Sequence, residues 1–275
     1  MEGTRHTRFG RMRRRLASRV HRDRRLGEPH RHRETAPPEG AGHLYLDLMK
    51  RCLTNSIYDT CDEQTRAEGC DWPRDAHTMI GLKRLDNLQF CVEDVLDRGI
   101  PGDFIETGVW RGGATIFMRA ILKVRGVNDR RVWVADSFEG LPPPTPEAYP
   151  CDAGDVLHTY KQLAVSLEAV QSNFRRYGLL DDQVRFLKGW FRDSLPGAPI
   201  ARLAVIRLDG DMYESTMDAL VNLYPKLTVG GYVIVDDYGC IPACRQAVHD
   251  FRQARGIADE IRPIDWTGVY WRRSA

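Results

Sequence analysis

Long apolar runs are missing from this 275-residue chain. None approaches the roughly 18 apolar residues of a membrane-spanning helix, and no apolar stretch follows the basic N-terminus as a secretory leader requires. A soluble protein working in the cytoplasm, away from membranes, is the expectation. Paired cysteines are missing too. There are seven, and neither the trio Cys52, Cys61 and Cys70 nor the pair Cys240 and Cys244 has zinc-finger spacing. Free thiols in a reducing compartment follow. The three-glycine dinucleotide fingerprint is absent, which disfavours a nicotinamide-dependent oxidoreductase. Lysine is scarce: 34 of the 40 basic residues are arginine.

The arginines are unevenly spread. Residues 1–40 hold 12 Arg against five acids, while the rest of the chain has 28 basic and 33 acidic residues. A formal net charge of +2 therefore hides a basic tail on a mildly acidic body. The tail has few large apolar residues and ends in Ala36-Pro37-Pro38-Glu39-Gly40. It cannot bury enough surface to offset its chain entropy, so disorder is expected over 1–40 and a folded domain over 41–275. A nucleic-acid-binding arm, or an RNA-modifying protein that uses it, is the reading to weigh against a mere extension. No aromatic residues are interleaved for base stacking, so nucleic acid is not the expected partner.

What is present is alternation. A helix is predicted over 43–52, then a polar loop through Trp72-Pro73. A second helix is predicted over 78–98 from the spacing of Ile80, Leu82, Leu85, Leu88, Val92, Val95 and Leu96, stopped by Gly99-Ile100-Pro101-Gly102. Strands are predicted at 104–109, 132–135, 184–187, 203–206 and 232–235, with helices at 114–123, 165–177, 212–224 and 242–254. The segments 260–264 and 268–272 read as a final antiparallel pair. Such alternation implies an α/β fold, a mostly parallel sheet with helices on both faces, here behind an N-terminal helical extension. The stretch 141–160, with Pro142-Pro143-Pro144, Pro146 and Pro150, breaks the rhythm. A loop this long after a strand end reads as a lid.

The chemistry concentrates where two apolar runs end in acids: Arg207-Leu208-Asp209-Gly210-Asp211 and Val233-Ile234-Val235-Asp236-Asp237. Strands joined by a crossover helix tend to be neighbours. Their carboxyl ends then bring four carboxylates to the crevice where open α/β sheets bind ligands. Four ionised carboxylates together call for a hard cation such as Mg²⁺. Asp211 and Asp237 also suit helix capping. Asp209, on an apolar strand end, has less reason to be there without a ligand. The turn Glu106-Thr107-Gly108-Val109-Trp110-Arg111-Gly112-Gly113 and the acid Asp136 at the next strand end together favour an adenosine-containing cofactor, the acid bonding a ribose diol. Alone, Asp136 is equally a turn residue. His158 in the lid is a second candidate base beside Asp211. Tyr149, Tyr160, Trp190 and Tyr213 suit either stacking on a ligand or core packing.

Thr78-Met79-Ile80-Gly81, the Glu106 to Gly113 turn, Asp136-Ser137-Phe138-Glu139-Gly140-Leu141-Pro142, Leu208-Asp209-Gly210-Asp211-Met212-Tyr213 and Val235-Asp236-Asp237-Tyr238 resemble, in order, the macrocin O-methyltransferase family. The resemblance runs from about His43 to Arg273 and leaves the basic tail outside. It implies a Rossmann-like class I methyltransferase sheet of order 3-2-1-4-5-7-6 with the seventh strand antiparallel. It also implies S-adenosylmethionine and Mg²⁺ as cofactors, and a deoxysugar hydroxyl in antibiotic assembly as the methyl acceptor. A catechol-type or other small-molecule O-methyltransferase is the alternative, since a vicinal diol suits both. By the same resemblance, Asp209, Asp236 and Asp237 hold the metal and Asp211 is the base. Thr78, Met79, Glu106, Thr107, Gly108, Asp136, Ser137, Gly189, Trp190, Phe191 and Asp209 contact the cofactor. Relatives form dimers or higher assemblies, so a homo-oligomer is expected.

Overall fold

Apolar residues that alternate between two sides of the strands fix where the layers lie. In the computed structural model, which describes residues 40–59 and 62–275, Phe104, Val132, Val134, Val205 and Ile234 face one core. Ile105, Trp133, Ala135, Ile206, Val233 and Val235 face the other. Burial on both sides is what parallel strands covered by helices require. The expected tail lies outside the described residues, apart from Gly40, as does Cys61.

In chain order the elements are α1 (Ala41–Leu53), α2 (Glu63–Glu68), α3 (Leu82–Asp97), β1 (Asp103–Thr107), α4 (Gly113–Val124), β2 (Val132–Asp136), α5 (Leu167–Arg176), β3 (Val184–Lys188), α6 (Phe191–Ser194), β4 (Leu203–Leu208), α7 (Tyr213–Leu223), β5 (Leu227–Val235), α8 (Pro242–Ala254), β6 (Arg262–Pro263) and β7 (Val269–Arg272). The sheet order is β3-β2-β1-β4-β5-β7-β6. β1 to β5 pair in parallel, and β7 runs antiparallel to β5 and β6. Helices α1, α3, α4 and α5 supply one apolar layer, α7 and α8 the other. Among the described residues no helix is long and apolar enough to cross a membrane.

Two local expectations need correction. The polar loop before Trp72 contains α2, whose first turn is capped by Asp62 accepting from the Thr65 amide at 2.8 Å. The helix expected from Thr78 starts only at Leu82. A Cβ at Gly81 would lie 2.3 Å from the Ala67 carbonyl oxygen, so the chain crosses α2 too closely there for any other residue. Residues 77–79 instead lie against the start of α4, where the Gly113 amide donates to the His77 carbonyl at 2.9 Å.

Candidate active site

The site is built at the carboxyl ends of the parallel strands, where the backbone itself is unusual. After β1, Gly108 takes φ 82°. A Cβ there would fall 1.8 Å from the Asp209 carbonyl oxygen, so the β1 and β4 tips meet at a distance only glycine permits. Among the described residues four non-glycines have positive φ, and three of them, Trp110, Phe138 and Asp211, follow the ends of β1, β2 and β4. Left-handed non-glycine backbone carries strain that surrounding structure must hold.

Asp136, at the end of β2, joins two of these turns. One carboxylate oxygen accepts from the Val109 amide at 2.8 Å and the other from the Phe138 amide at 2.7 Å. Burial raises its pKa above the ordinary carboxylate value, opposed by these backbone bonds. Ser137 donates to the Gly140 carbonyl at 2.7 Å, and Gly189 donates to the Asp136 carbonyl at 2.9 Å. The turn-forming role foreseen for Asp136 is therefore present. A carboxylate has lone pairs left over for a ligand.

The tips of β4 and β5 bring Asp209, Asp236 and Asp237 together: one carboxylate oxygen from each lies within 4.8 Å of the others. Two buried arginines run through the cluster. Arg207 on β4 pairs with Glu106, with Asp236 and, at 2.8 Å, with Asp209. Arg84 on α3 pairs with Asp236 and, at 2.9 Å, with Asp265. The Asp211 amide donates to an Asp237 carboxylate oxygen at 3.2 Å. Burial pushes Glu106 up to about 8, against the pull of Arg207. Carboxylates thus outnumber guanidiniums here, and three of them are spaced for a single hard, oxygen-loving cation.

In front of the cluster opens a crevice. Met79, Gly108, Asp136, Ser137, Trp190, Phe191, Asp209 and Asp211 line it. Thr78, Glu106 and Thr107 are buried beneath it, as are Asp236 and Asp237, each 1 % exposed. His158 is exposed on the lid and is not among the lining residues. The lid lines the crevice through Leu141 and Pro142, and the residues flanking it, Gly140 and Leu163, line it too. Trp110 ties down the segment just after the lid by donating to the Gln162 carbonyl at 2.9 Å. Buried Asp152 anchors it further on, accepting from the Tyr213 and Glu214 amides at 2.7 and 3.0 Å.

Several residues were not anticipated from sequence: Arg84, Arg207, Asp152, and the crevice residues Arg192, Glu214 and Asp218. A signal existed for Arg207, since a charge between the run Leu203-Ala204-Val205-Ile206 and Leu208 must find buried partners. Nothing local marks Arg84, whose carboxylate partners lie 152 and 181 residues away.

A sheet in this order, with a glycine turn after its first strand and a crevice over its parallel tips, defines a class I methyltransferase. A profile of the macrocin-O-methyltransferase (TylF) family matches residues 12–273, and the chain belongs to that family. The match begins well upstream of His43, so it takes in most of the arginine-rich segment that the motif resemblance left outside. A Streptomyces olivaceus protein named 8-demethyl-8-(2,3-dimethoxy-alpha-L-rhamnosyl)-tetracenomycin-C 4'-O-methyltransferase is 61 % identical over 86 % of this chain and 95 % of its own length. Mycinamicin III 3''-O-methyltransferase from Micromonospora griseorubida is 56 % identical over 86 % of this chain and 99 % of its own. The solved structure of the O-methyltransferase NovP is 56 % identical and superposes with a TM-score of 0.84, covering 85 % of this chain and 100 % of that one. The protein is an O-methyltransferase, and its family implies S-adenosylmethionine as the methyl donor.

Proposed function

We propose that this chain methylates a hydroxyl of a deoxysugar in natural-product biosynthesis, with Mg²⁺ held by Asp209, Asp236 and Asp237 and with Asp211 as the base. The observation that carries this reading is the three-carboxylate cluster beside Asp211 at the β4 and β5 tips. The relatives support the substrate class, since the names of two of them specify a rhamnosyl tetracenomycin and mycinamicin III. Gly108, Asp136, Ser137, Met79, Trp190 and Phe191 line the crevice and would contact the donor in it. Glu106, Thr107, Thr78 and Gly189 support that lining from behind or beside it.

A sugar hydroxyl holds its proton far above pH 7, so it needs help to attack. Mg²⁺, when bound, supplies Lewis-acid stabilisation of the developing alkoxide. Asp211 takes the proton as the hydroxyl oxygen bonds to the methyl carbon. S-adenosylmethionine, when bound, would supply the methyl group, the carbon–sulfur electron pair staying on sulfur, and would leave as S-adenosylhomocysteine. The lid residues Leu141 and Pro142, with Leu163 just after the lid, exclude water from the reacting groups, and the rigid strand tips hold the two substrates in register. No covalent enzyme intermediate is needed.

The test is chelation. Excess EDTA should abolish turnover and added Mg²⁺ should restore it. Full activity of exhaustively chelated protein would remove the metal from the mechanism.

A further inference from the structure

Asp236 faces two cations. One of its carboxylate oxygens accepts from Arg84 and the other from Arg207. Two guanidiniums on one carboxylate more than cancel its charge, and taken alone that trio would repel a divalent ion rather than attract it. Each arginine, however, has a further carboxylate. Arg207 has Glu106 and Asp209, both members of the cluster. Arg84 has Asp265, whose Oδ2 accepts from its Nε at 2.9 Å. Asp265 stands apart from the cluster. It sits in the turn between β6 and β7, outside the crevice lining, and is 6 % exposed.

The turn holds that carboxylate in place. Its Oδ1 accepts from the Thr267 and Gly268 amides at 3.0 and 2.8 Å, while Oδ2 meets Arg84. The Thr267 hydroxyl donates to the Asp236 carbonyl at 2.9 Å, so the same turn also fixes the backbone of the proposed metal ligand. Arg84 is itself buried, and its Nη2 donates to the Gly69 carbonyl at 3.3 Å. A buried arginine cannot shed its proton, so its charge must be balanced by a carboxylate within reach. Charges held this far from water are little screened by salt.

We propose that Asp265 is a positioning residue of the cation site, acting through Arg84: it holds and neutralises that guanidinium, so that Asp236 keeps negative charge for a divalent ion. Hydrogen-bonding partners behind metal ligands commonly govern affinity by about 10- to 100-fold. This assignment rests on the proposed metal reading of the three-carboxylate cluster.

Binding of Mn²⁺ to the full chain, without donor or acceptor, tests it. The free ion is read from its electron paramagnetic resonance signal, and displacement by Mg²⁺ identifies an oxygen site that takes both ions. Asp265→Asn leaves the charge of Arg84 unbalanced and should weaken Mn²⁺ binding by ~10-fold or more. Adding Arg84→Met removes that charge as well, and the double variant should bind within ~3-fold of wild type. If the turn merely supported the fold, the second buried change would add to the damage of the first, and binding would not recover. Wild-type affinity in Asp265→Asn overturns the proposal, as does a double variant that binds no more tightly than Asp265→Asn. Should Asp265→Asn fail to fold, judged by far-UV circular dichroism, Arg84→Met alone decides. Loss of a cation beside Asp236 should tighten Mn²⁺ binding, and equal or weaker binding overturns the proposal. Failure of wild-type protein to bind Mn²⁺ is a different result, which overturns the metal reading itself and this assignment with it.

Discussion

Asp236 shows how a residue proposed to hold a metal can also hold the fold. It accepts from Arg84 on one carboxylate oxygen and Arg207 on the other, and all three side chains are at most 2 % exposed. Arg207 also reaches Glu106 and Asp209, so its planar fork holds β1, β4 and β5 at a common level. Lysine, a point charge, cannot reproduce that fork. Replacing it by an isosteric apolar residue leaves several buried carboxylates unpaired. Arg207→Met should lower unfolding free energy by ~3–5 kcal/mol, read from urea denaturation. Arg207→Lys should recover only part of that loss. Asp211 is different, because it faces the crevice. Asp211→Asn should cut the turnover rate ~10²-fold or more while S-adenosylhomocysteine affinity stays nearly constant. An undiminished rate would hand the proton to His158 or to water.

Among the elements, α7 carries the most. Its start follows the left-handed Asp211, and its own N-cap position, Met212, offers no side-chain acceptor. Asp152 supplies that acceptor from the lid, 61 residues away in sequence. The lid and the turn at Asp211 are therefore one mechanical unit. Asp152→Ala should cost ~1 kcal/mol of stability, as loss of a helix cap does. Because the lid is released with it, KM for both donor and acceptor should rise several-fold while far-UV circular dichroism is unchanged. A stability loss with both KM values intact would show that the lid closes by other contacts. None of this was legible beforehand. The strands were, most clearly β2, β4 and β5, which carry the apolar runs 132–135, 203–206 and 232–235, and so were Asp209, Asp236 and Asp237, because they follow the last two of those runs. Helix bounds held to within a few residues except at α3, where the contact between Gly81 and Ala67 overrides an apolar period that continues through Ile80. α2 was hidden because it is a short polar turn with little periodicity. Arg84, Asp152 and Glu214 act through partners that only the folded chain brings near, and no spacing rule reaches that far.

At the scale of the molecule, the sheet separates two kinds of environment. Its faces are apolar, while ionisable groups gather over the carboxyl ends of the parallel strands, where folding strips them of water. Asp218 reports that cost away from the three-carboxylate cluster. Its neighbours are Glu214 on its own helix, Arg192 and Asp193 on α6, and Tyr149 from the lid. Arg192 favours the charged form; burial, Glu214 and Asp193 oppose it, and they win, setting the folded value near 6 against an ordinary value of 3.8. Between those two values the folded protein keeps a proton that the unfolded chain has released. The resulting stabilisation is fully present below 3.8 and is lost as pH rises through about 6. Asp218→Asn, neutral at every pH, removes that slope. Urea denaturation of the two proteins should therefore show the variant gaining on wild type between pH 4.5 and pH 7.5, with most of the change complete by pH 7. Parallel stability curves across that range would mean that Asp218 ionises in the folded protein as freely as in water, and that the crevice wall at α7 is wetter than its burial indicates.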